Sequence, residues 1–276
     1  MSDKRAAPIG IFDSGVGGLS VLCEVRRLLP DEAIIFFADQ AHVPYGPRSL
    51  EQVRSFSEEI TRYLLDRGAK LIVVACNTAS AAALHYLRAT FPQTSFVGME
   101  PAVKPAAEYT QSGVVGVLAT PATFQGELYA SVIERFAQGV TVLQDTCPGL
   151  VEQIEKGEVD SAETRAILET ALSPMIARGV DRVVMGCTHY PFVIPLIEAI
   201  VGPDVGVIDP APAVARQVAR ILDSHGLRAA PRAETGRGTV ACLTSGDPAR
   251  LSRLLPRLIG ESCPVEGLSW DGDTLC

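Results

Sequence analysis

The sequence lacks any long run of apolar residues, although 47% of its 276 residues are hydrophobic. No uninterrupted segment approaches the roughly 18 residues that a membrane-spanning helix needs. The first five residues are followed by only seven uncharged residues before Asp13, and a secretory signal needs a longer apolar region. We therefore expect a globular protein of the cytoplasm that has no membrane partner.

Concentrated positive charge is also missing. The chain has 24 basic and 32 acidic residues, a formal net charge of −8, and never more than two adjacent Lys or Arg residues. Nucleic-acid grooves depend on clustered positive charge, so we expect no nucleic-acid partner. A small anionic ligand is still compatible with this charge, because backbone amides at helix N-termini bind anions by themselves.

Cysteine motifs and cofactor motifs are absent as well. The seven cysteines are odd in number and form no C-x-x-C pair, so neither a disulfide framework nor a structural zinc site is expected. The sequence contains no P-loop, no G-x-G-x-x-G fingerprint and no recognisable lysine for pyridoxal phosphate. We expect no metal and no cofactor, which leaves the thiols as either reactive groups or small buried hydrophobes.

What the sequence does have is an alternation of short apolar segments with longer segments of helical periodicity. Strands are predicted at 8–12, 33–38, 71–75, 95–99, 114–119, 140–143, 182–186, 205–208 and 239–243. Helices are predicted at 18–29, 49–66, 79–90, 121–136, 149–155, 161–177, 211–224 and 248–258, before a loosely specified end at 269–276. Continuously apolar strands between helices are typical of a parallel sheet covered on both faces, so we predict a doubly wound α/β fold.

An internal repeat indicates two similar halves related by a pseudo-twofold axis. Residues 67–76 (RGAKLIVVAC) match residues 178–187 (RGVDRVVMGC), and each Arg-Gly pair stands nine residues before a cysteine that ends an apolar strand. Chance similarity between two buried strands is the alternative. Ligands of open α/β sheets bind beyond the carboxyl ends of the strands. Facing halves would therefore place Cys76 and Cys187 on opposite sides of one cleft.

Several residues at the predicted strand ends are candidates for chemistry. Cys76 and Cys187 are each followed by small polar residues and free backbone amides, which bind carboxylates and lower the pKa of a thiol. Either cysteine alone is better interpreted as a buried core residue, but the matched pair reverses that preference and favours a chemical role. Asp13 is either a helix N-cap or a catalytic group, and His189 either assists Cys187 or lies on the surface.

Other candidates are weaker. The rigid loop that carries Tyr45 either lines the cleft or is merely a turn. Glu152 stands near a predicted helix start, where a cap-like role is the alternative. Thr120 and Thr123 follow another strand end and are further possible members of the site.

Two opposed thiols can perform one reaction without a cofactor. Inversion of a carbon that bears hydrogen needs a base on one face and an acid on the other, and a thiolate and a thiol meet that need. A cysteine protease would use only one thiol, together with a histidine. The pair therefore favours racemisation or epimerisation. A two-lobed anion-binding protein or a regulator that docks on another protein is the non-enzymatic alternative, and it has no use for the two cysteines.

Four segments together resemble the glutamate racemase family: GIFDSGVGGL at 10–19, VPYG at 43–46, ACNTA at 75–79 and GCTHYP at 186–191. These enzymes supply D-glutamate for peptidoglycan synthesis without a cofactor, and the resemblance runs from about residue 9 to about residue 222. The related aspartate racemases usually have Glu in place of the His-Tyr-Pro that starts at His189. Glutamate is therefore the expected substrate, with aspartate or another amino acid as the alternative.

The resemblance implies roles for individual residues. Cys76 and Cys187 would be the two acid/base thiols, assisted by Asp13 and His189 respectively. The groups expected to hold the substrate are Asp13, Ser14, Tyr45, Gly46, Asn77, Thr78, Thr188 and His189. The family fold implies a discontinuous first domain, 1–98 plus 208–276, a second domain, 99–207, and a homodimer.

Overall fold

The computed structural model describes residues 4–231 and 236–276 and contains two parallel sheets. The first sheet has the strand order β10-β9-β2-β1-β3-β4, and all its pairings are parallel. Its strands are β1 Ile9–Asp13, β2 Ile34–Ala38, β3 Leu71–Val74, β4 Phe96–Val97, β9 Val240–Thr244 and β10 Val265–Gly267. Both faces of β1 and β3 are fully buried, as their continuous apolar sequences predict.

The second sheet repeats the central part of the first. Its order is β6-β5-β7-β8, again parallel throughout, with strands β5 Val114–Ala119, β6 Thr141–Asp145, β7 Arg182–Gly186 and β8 Gly206–Ile208. This order matches β2-β1-β3-β4 strand for strand. The prediction of two similar doubly wound α/β halves is therefore confirmed, and Cys76 and Cys187 follow the equivalent strands β3 and β7.

Helices cover these sheets. They are α1 Leu19–Leu28, α2 Leu50–Asp66, α3 Asn77–Thr90, α4 Val103–Tyr109, α5 Pro121–Gln125, α6 Glu127–Phe136, α7 Leu150–Lys156, α8 Ala162–Ala177, α9 Ile194–Val201, α10 Ala211–Ser224 and α11 Pro248–Ile259. Local sequence explains several starts. Ser49 and Gln52 form a capping box at α2, and the Ser161 side chain caps α8. Of the helices in the described ranges, none has both the length and the apolar character needed to cross a membrane.

Some local predictions were wrong. The helix predicted at 121–136 is two helices, because Gly126 has an extended backbone (φ −73°, ψ 141°) between α5 and α6. Helices α4 and α9 were not predicted. The end of the chain is not loose: β11 Trp270–Asp271 and β12 Thr274–Leu275 form an antiparallel hairpin.

The sequence predicted no disulfide framework, and it gave no sign of the single disulfide that the structure contains. Cys242 in β9 is bonded to Cys263, which lies just before the neighbouring strand β10. A single disulfide in a chain of this length does not produce the dense, even-numbered cysteine pattern by which disulfide-rich proteins are identified from sequence. This disulfide joins two segments that the parallel pairing of β9 and β10 brings side by side.

The chain passes from the first sheet to the second after β4 and returns after β8. Helix α10 then packs against α1, and β9 and β10 extend the first sheet beyond β2. Ile208 is the last residue of β8 and so pairs within the second sheet. The predicted domain limits, 1–98 plus 208–276 and 99–207, remain a prediction, and residues 1–3 and 232–235 of them lie outside the described residues.

Candidate active site

The two halves meet at the carboxyl ends of β1, β3 and β7, where they enclose a small cavity. The cavity is lined by Ser14, Pro44, Tyr45, Gly46, Cys76, Asn77, Thr78, Thr120, Val151, Cys187, Thr188 and His189. Its free volume is about 10 Å³, which is the room that one water molecule needs. The structure thus brings both predicted cysteines to a single, nearly closed site.

Cys76 lies on the side of the first domain, at the start of α3. Its Sγ accepts a hydrogen bond from the backbone amide of Ala79 (3.5 Å) and lies 3.9 Å from the hydroxyl of Ser14. Burial raises the pKa of the Cys76 thiol well above its usual value, and the neighbouring Asp13 raises it further. The protonated thiol is therefore favoured here.

Asp13 is not a helix N-cap, because Gly15 and Gly18 hold the N-cap positions of the 16–18 turn and of α1. Its Oδ2 accepts from the backbone amide of Gly18 (2.7 Å) and so stabilises the glycine-rich turn. It is also fully buried beside Cys76, and burial raises the pKa of its carboxyl group although the charge of His189 opposes that shift. The hydroxyl of Thr188, from the second domain, lies 3.5 Å from both Asp13 oxygens.

Cys187 lies on the opposite side, beside a buried His189. The Nδ1 atom of His189 is 3.8 Å from Cys187 Sγ, and its Nε2 is 2.7 Å from Glu155 Oε1. Burial acts to lower the pKa of His189, but the contacts with Cys187 and Glu155 outweigh it and raise that pKa well above its usual value. The surface alternative for His189 is wrong, since the side chain is 2% exposed.

Glu155 is a functional candidate that sequence reasoning missed. Burial raises its pKa, but hydrogen bonds from His189, Gln40 and the Val16 amide outweigh burial and lower it. The predicted candidate, Glu152, lies one turn earlier on α7, is exposed and does not line the cavity. The signal in the sequence was the apolar pattern of α7, which buries Val151 and Ile154 and so turns Glu155 inward.

Polar groups in the cavity are left for a ligand. Asn77 is 3% exposed, and within residues 4–231 and 236–276 neither of its amide atoms has a hydrogen-bond partner. The hydroxyl oxygens of Thr78 and Thr120 are 2.8 Å apart across the two domains, and Thr120 is 3.0 Å from Thr123. Buried polar groups rarely go unpaired in proteins. The arrangement therefore suits a small polar molecule.

The Tyr45 loop closes one side of the cavity. Tyr45 is 1% exposed and donates to Asp39 Oδ2 (2.6 Å). At Gly46 a Cβ atom would lie 3.2 Å from the Cβ of Thr120, so a larger residue would crowd the second domain. No cluster of three or more His, Cys, Asp or Glu side chains suited to a metal ion occurs in the described part of the chain.

Residues 19–218 match the family model described as Asp/Glu/Hydantoin racemase. The chain belongs to this family. It is therefore an isomerase of the racemase type, and the cavity between its domains is the candidate active site. The family assignment agrees with the fold, the strand-end cysteines and the resemblance of the four sequence segments.

Individual relatives are similar over nearly the whole chain. This racemase is 54% identical over 258 residues to the glutamate racemase of Roseiflexus sp. (strain RS-1), which covers 94% of each chain. It superposes on a glutamate racemase isoform from Bacillus anthracis with a TM-score of 0.84 and 31% identity, covering 98% of this chain and 99% of that one. For Escherichia coli glutamate racemase in complex with L-glutamate and the activator UDP-MurNAc-Ala, the TM-score is 0.82 at 32% identity, with 96% and 100% covered.

Proposed function

We propose that this racemase interconverts L-glutamate and D-glutamate without a cofactor, using Cys76 and Cys187 as the two acid/base groups. The observation that carries the proposal is the placement of two buried thiols at equivalent strand ends on opposite sides of one cavity. Two faces of a carbon atom need two groups, and the near-symmetric halves supply one group each. The names of the relatives, glutamate racemases, support the choice of substrate.

The reaction proceeds by one proton removal and one proton return. A thiolate takes the α-proton, the Cα–H bond breaks, and its electron pair is delocalised into the adjacent carboxylate. The opposite thiol then gives its proton to the other face of Cα and becomes the thiolate. The reverse direction exchanges the two roles, so that one site serves both enantiomers.

The surroundings of the two thiols prepare them differently. An imidazolium at 3.8 Å stabilises negative charge on Cys187 Sγ. Burial and Asp13 favour the protonated form of Cys76. Asp13, buried beside Cys76, is placed to take up a proton when Cys76 acts as the base.

Substrate binding falls to the polar groups of the cavity. Backbone amides at the start of α3 and the unpaired amide of Asn77 face the space in which a carboxylate fits. The hydroxyl groups of Thr78 and Thr120 line the cavity and provide further donors from the two domains. The free volume of about 10 Å³ is too small for glutamate, so the domains must separate to admit it and close again around it.

Closure matters for the chemistry because the carbanionic transition state carries charge. In a site without bulk water, fixed donors stabilise that charge more strongly than they would in solution. The enzyme sets only the rate, since the two enantiomers have equal free energies in water.

The test is an assay in which racemisation of glutamate and of aspartate is monitored by circular dichroism, with the two substrates compared side by side. We expect turnover of glutamate, incorporation of deuterium at Cα in deuterated water, and loss of interconversion in both Cys76→Ala and Cys187→Ala. Full activity in either variant would contradict the two-thiol mechanism. Turnover of aspartate but not of glutamate would show that aspartate is the substrate. Thermal stabilisation by glutamate without any isomerisation would favour the anion-binding alternative.

The cellular role follows from the substrate. A cytoplasmic enzyme that makes D-glutamate supplies peptidoglycan synthesis, and we propose this role together with a homodimeric state. Complementation of a strain that requires D-glutamate tests the role. Sedimentation equilibrium of the purified protein tests the dimer.

A further inference from the structure

We infer that Gln40 is a positioning residue for this reaction: across the domain interface it orients Glu155, which holds His189 against Cys187. The inference rests on the proposed function and adds a residue from the first domain to the machinery of the second. Gln40 lies just after β2, is half-buried, and does not line the cavity. It therefore acts through other groups and not on the substrate.

The orientation of the Gln40 amide is determined by its neighbours. The backbone amide of Gly246 donates to Thr244 Oγ1 at 3.0 Å, which leaves the Thr244 hydroxyl proton for another acceptor. That acceptor is Gln40 Oε1, at 2.9 Å. The Nε2 group of Gln40 must then face the other way, and it donates to Glu155 Oε2 at 2.9 Å.

This donor completes the shell around the Glu155 carboxylate. Oε2 accepts from Gln40, while Oε1 accepts from the Val16 amide (2.7 Å) and faces His189 Nε2 (2.7 Å). With N–H donors on both oxygens, the carboxylate acts purely as an acceptor. Nε2 of His189 must then carry a proton, and Nδ1 is directed at Cys187. Gln40 thus controls the rotation of the carboxylate, and through it the ring of His189.

The contact also depends on domain closure. Gln40 and Val16 belong to the first sheet and its connections, whereas Glu155 and His189 belong to the second domain. Both first-domain donors leave Glu155 when the domains separate. The hydrogen-bond chain from Thr244 to Cys187 is consequently complete only in the closed state, in which water is excluded and the reaction takes place.

The experiment compares Gln40→Met, which keeps the length of the side chain but has no donor, with Thr244→Val and Thr244→Ser. Loss of one hydrogen bond to a charged group predicts a fall in kcat/KM of about tenfold in Gln40→Met. Thr244→Val should lose part of the activity, and Thr244→Ser, which keeps the hydroxyl, should restore it. Gln144→Met is the matched control, because Gln144 donates to Tyr129 outside the cavity.

Primary deuterium isotope effects separate positioning from damage to the fold. Gln40 acts on Cys187 alone, so the isotope effect in Gln40→Met should rise for the enantiomer whose α-proton Cys187 removes and fall for the other. An active wild type together with unchanged kcat/KM in Gln40→Met overturns this inference alone. The inference also fails if activity falls only with the folded fraction while both isotope effects stay equal to those of the wild type. A wild type that does not racemise glutamate overturns the proposed function and this inference together.

Discussion

Replacing Glu155 by glutamine removes the negative charge that faces His189 and leaves the size of the side chain unchanged. In the wild-type protein, burial lowers the pKa of His189 while Cys187 and Glu155 raise it, and the resulting pKa of His189 lies well above its usual value. The variant loses the carboxylate from that balance, so the pKa of His189 falls. The imidazolium that faces Cys187 Sγ is then less populated.

The size of the effect follows from the contacts of the carboxylate. Its two oxygens serve three donors, His189 Nε2 and the Val16 amide at 2.7 Å and Gln40 Nε2 at 2.9 Å. A glutamine accepts at one oxygen only, so at least one donor loses its acceptor. A hydrogen bond to a charged group contributes about 1.5–3 kcal/mol, and kcat/KM should therefore fall by about 10- to 100-fold. The fall in kcat/KM is equal for L-glutamate and D-glutamate, because the ratio of their kcat/KM values equals the equilibrium constant between them, which is one.

The assay is the pH dependence of kcat/KM, with racemisation monitored by circular dichroism. An imidazolium is populated below its pKa, so a lower pKa of His189 moves the loss of activity with rising pH to a lower pH. Glu152→Gln is the matched control on the same helix, where the exposed side chain should have no effect. Wild-type kcat/KM in Glu155→Gln, with an unshifted alkaline limb, would refute the role of the Glu155–His189 pair.

Three other predictions concern groups around the site and the fold. Asn77→Ala should raise the KM for glutamate about tenfold with little change in the melting temperature, because both side-chain amide atoms of Asn77 lack a partner among the described residues. An unchanged KM would contradict a role of Asn77 in substrate binding. Trp270→Phe removes an indole N–H that donates to Asp39 at 2.8 Å, and it should lower the free energy of unfolding by about 1 kcal/mol in urea denaturation; equal midpoints would show that the hairpin is not held by this bond. Cys263→Ser should have a free energy of unfolding about 3 kcal/mol below that of the oxidised wild type, since the disulfide to Cys242 spans 21 residues. Reduction of the wild type should lower its free energy of unfolding by the same amount.

Much of the fold could be predicted from local sequence. The strands at 114–119 and 182–186 and the helix at 211–224 have the predicted bounds. Their apolar periodicity and flanking residues are local signals that need no partner. Parallel strands covered on both faces are continuously apolar, and this alone indicated the fold class. The terminal hairpin was missed because its two short strands are stabilised by packing on distant elements, including the Trp270 bond to Asp39.

By itself, the sequence determined that the protein has two similar halves with a cysteine at the end of an equivalent strand in each. Repetition of a strand and its terminal cysteine is visible in the sequence, and the proposed chemistry of two opposed thiols is based on it. Only the tertiary structure decided which side chains surround those thiols. Glu155 reaches His189 while Glu152 points to solvent, because the packing of α7 against the core selects one face of the helix. Gln40 joins the same chain from the other domain, and contacts between distant segments depend on how the two halves meet, which no local pattern specifies.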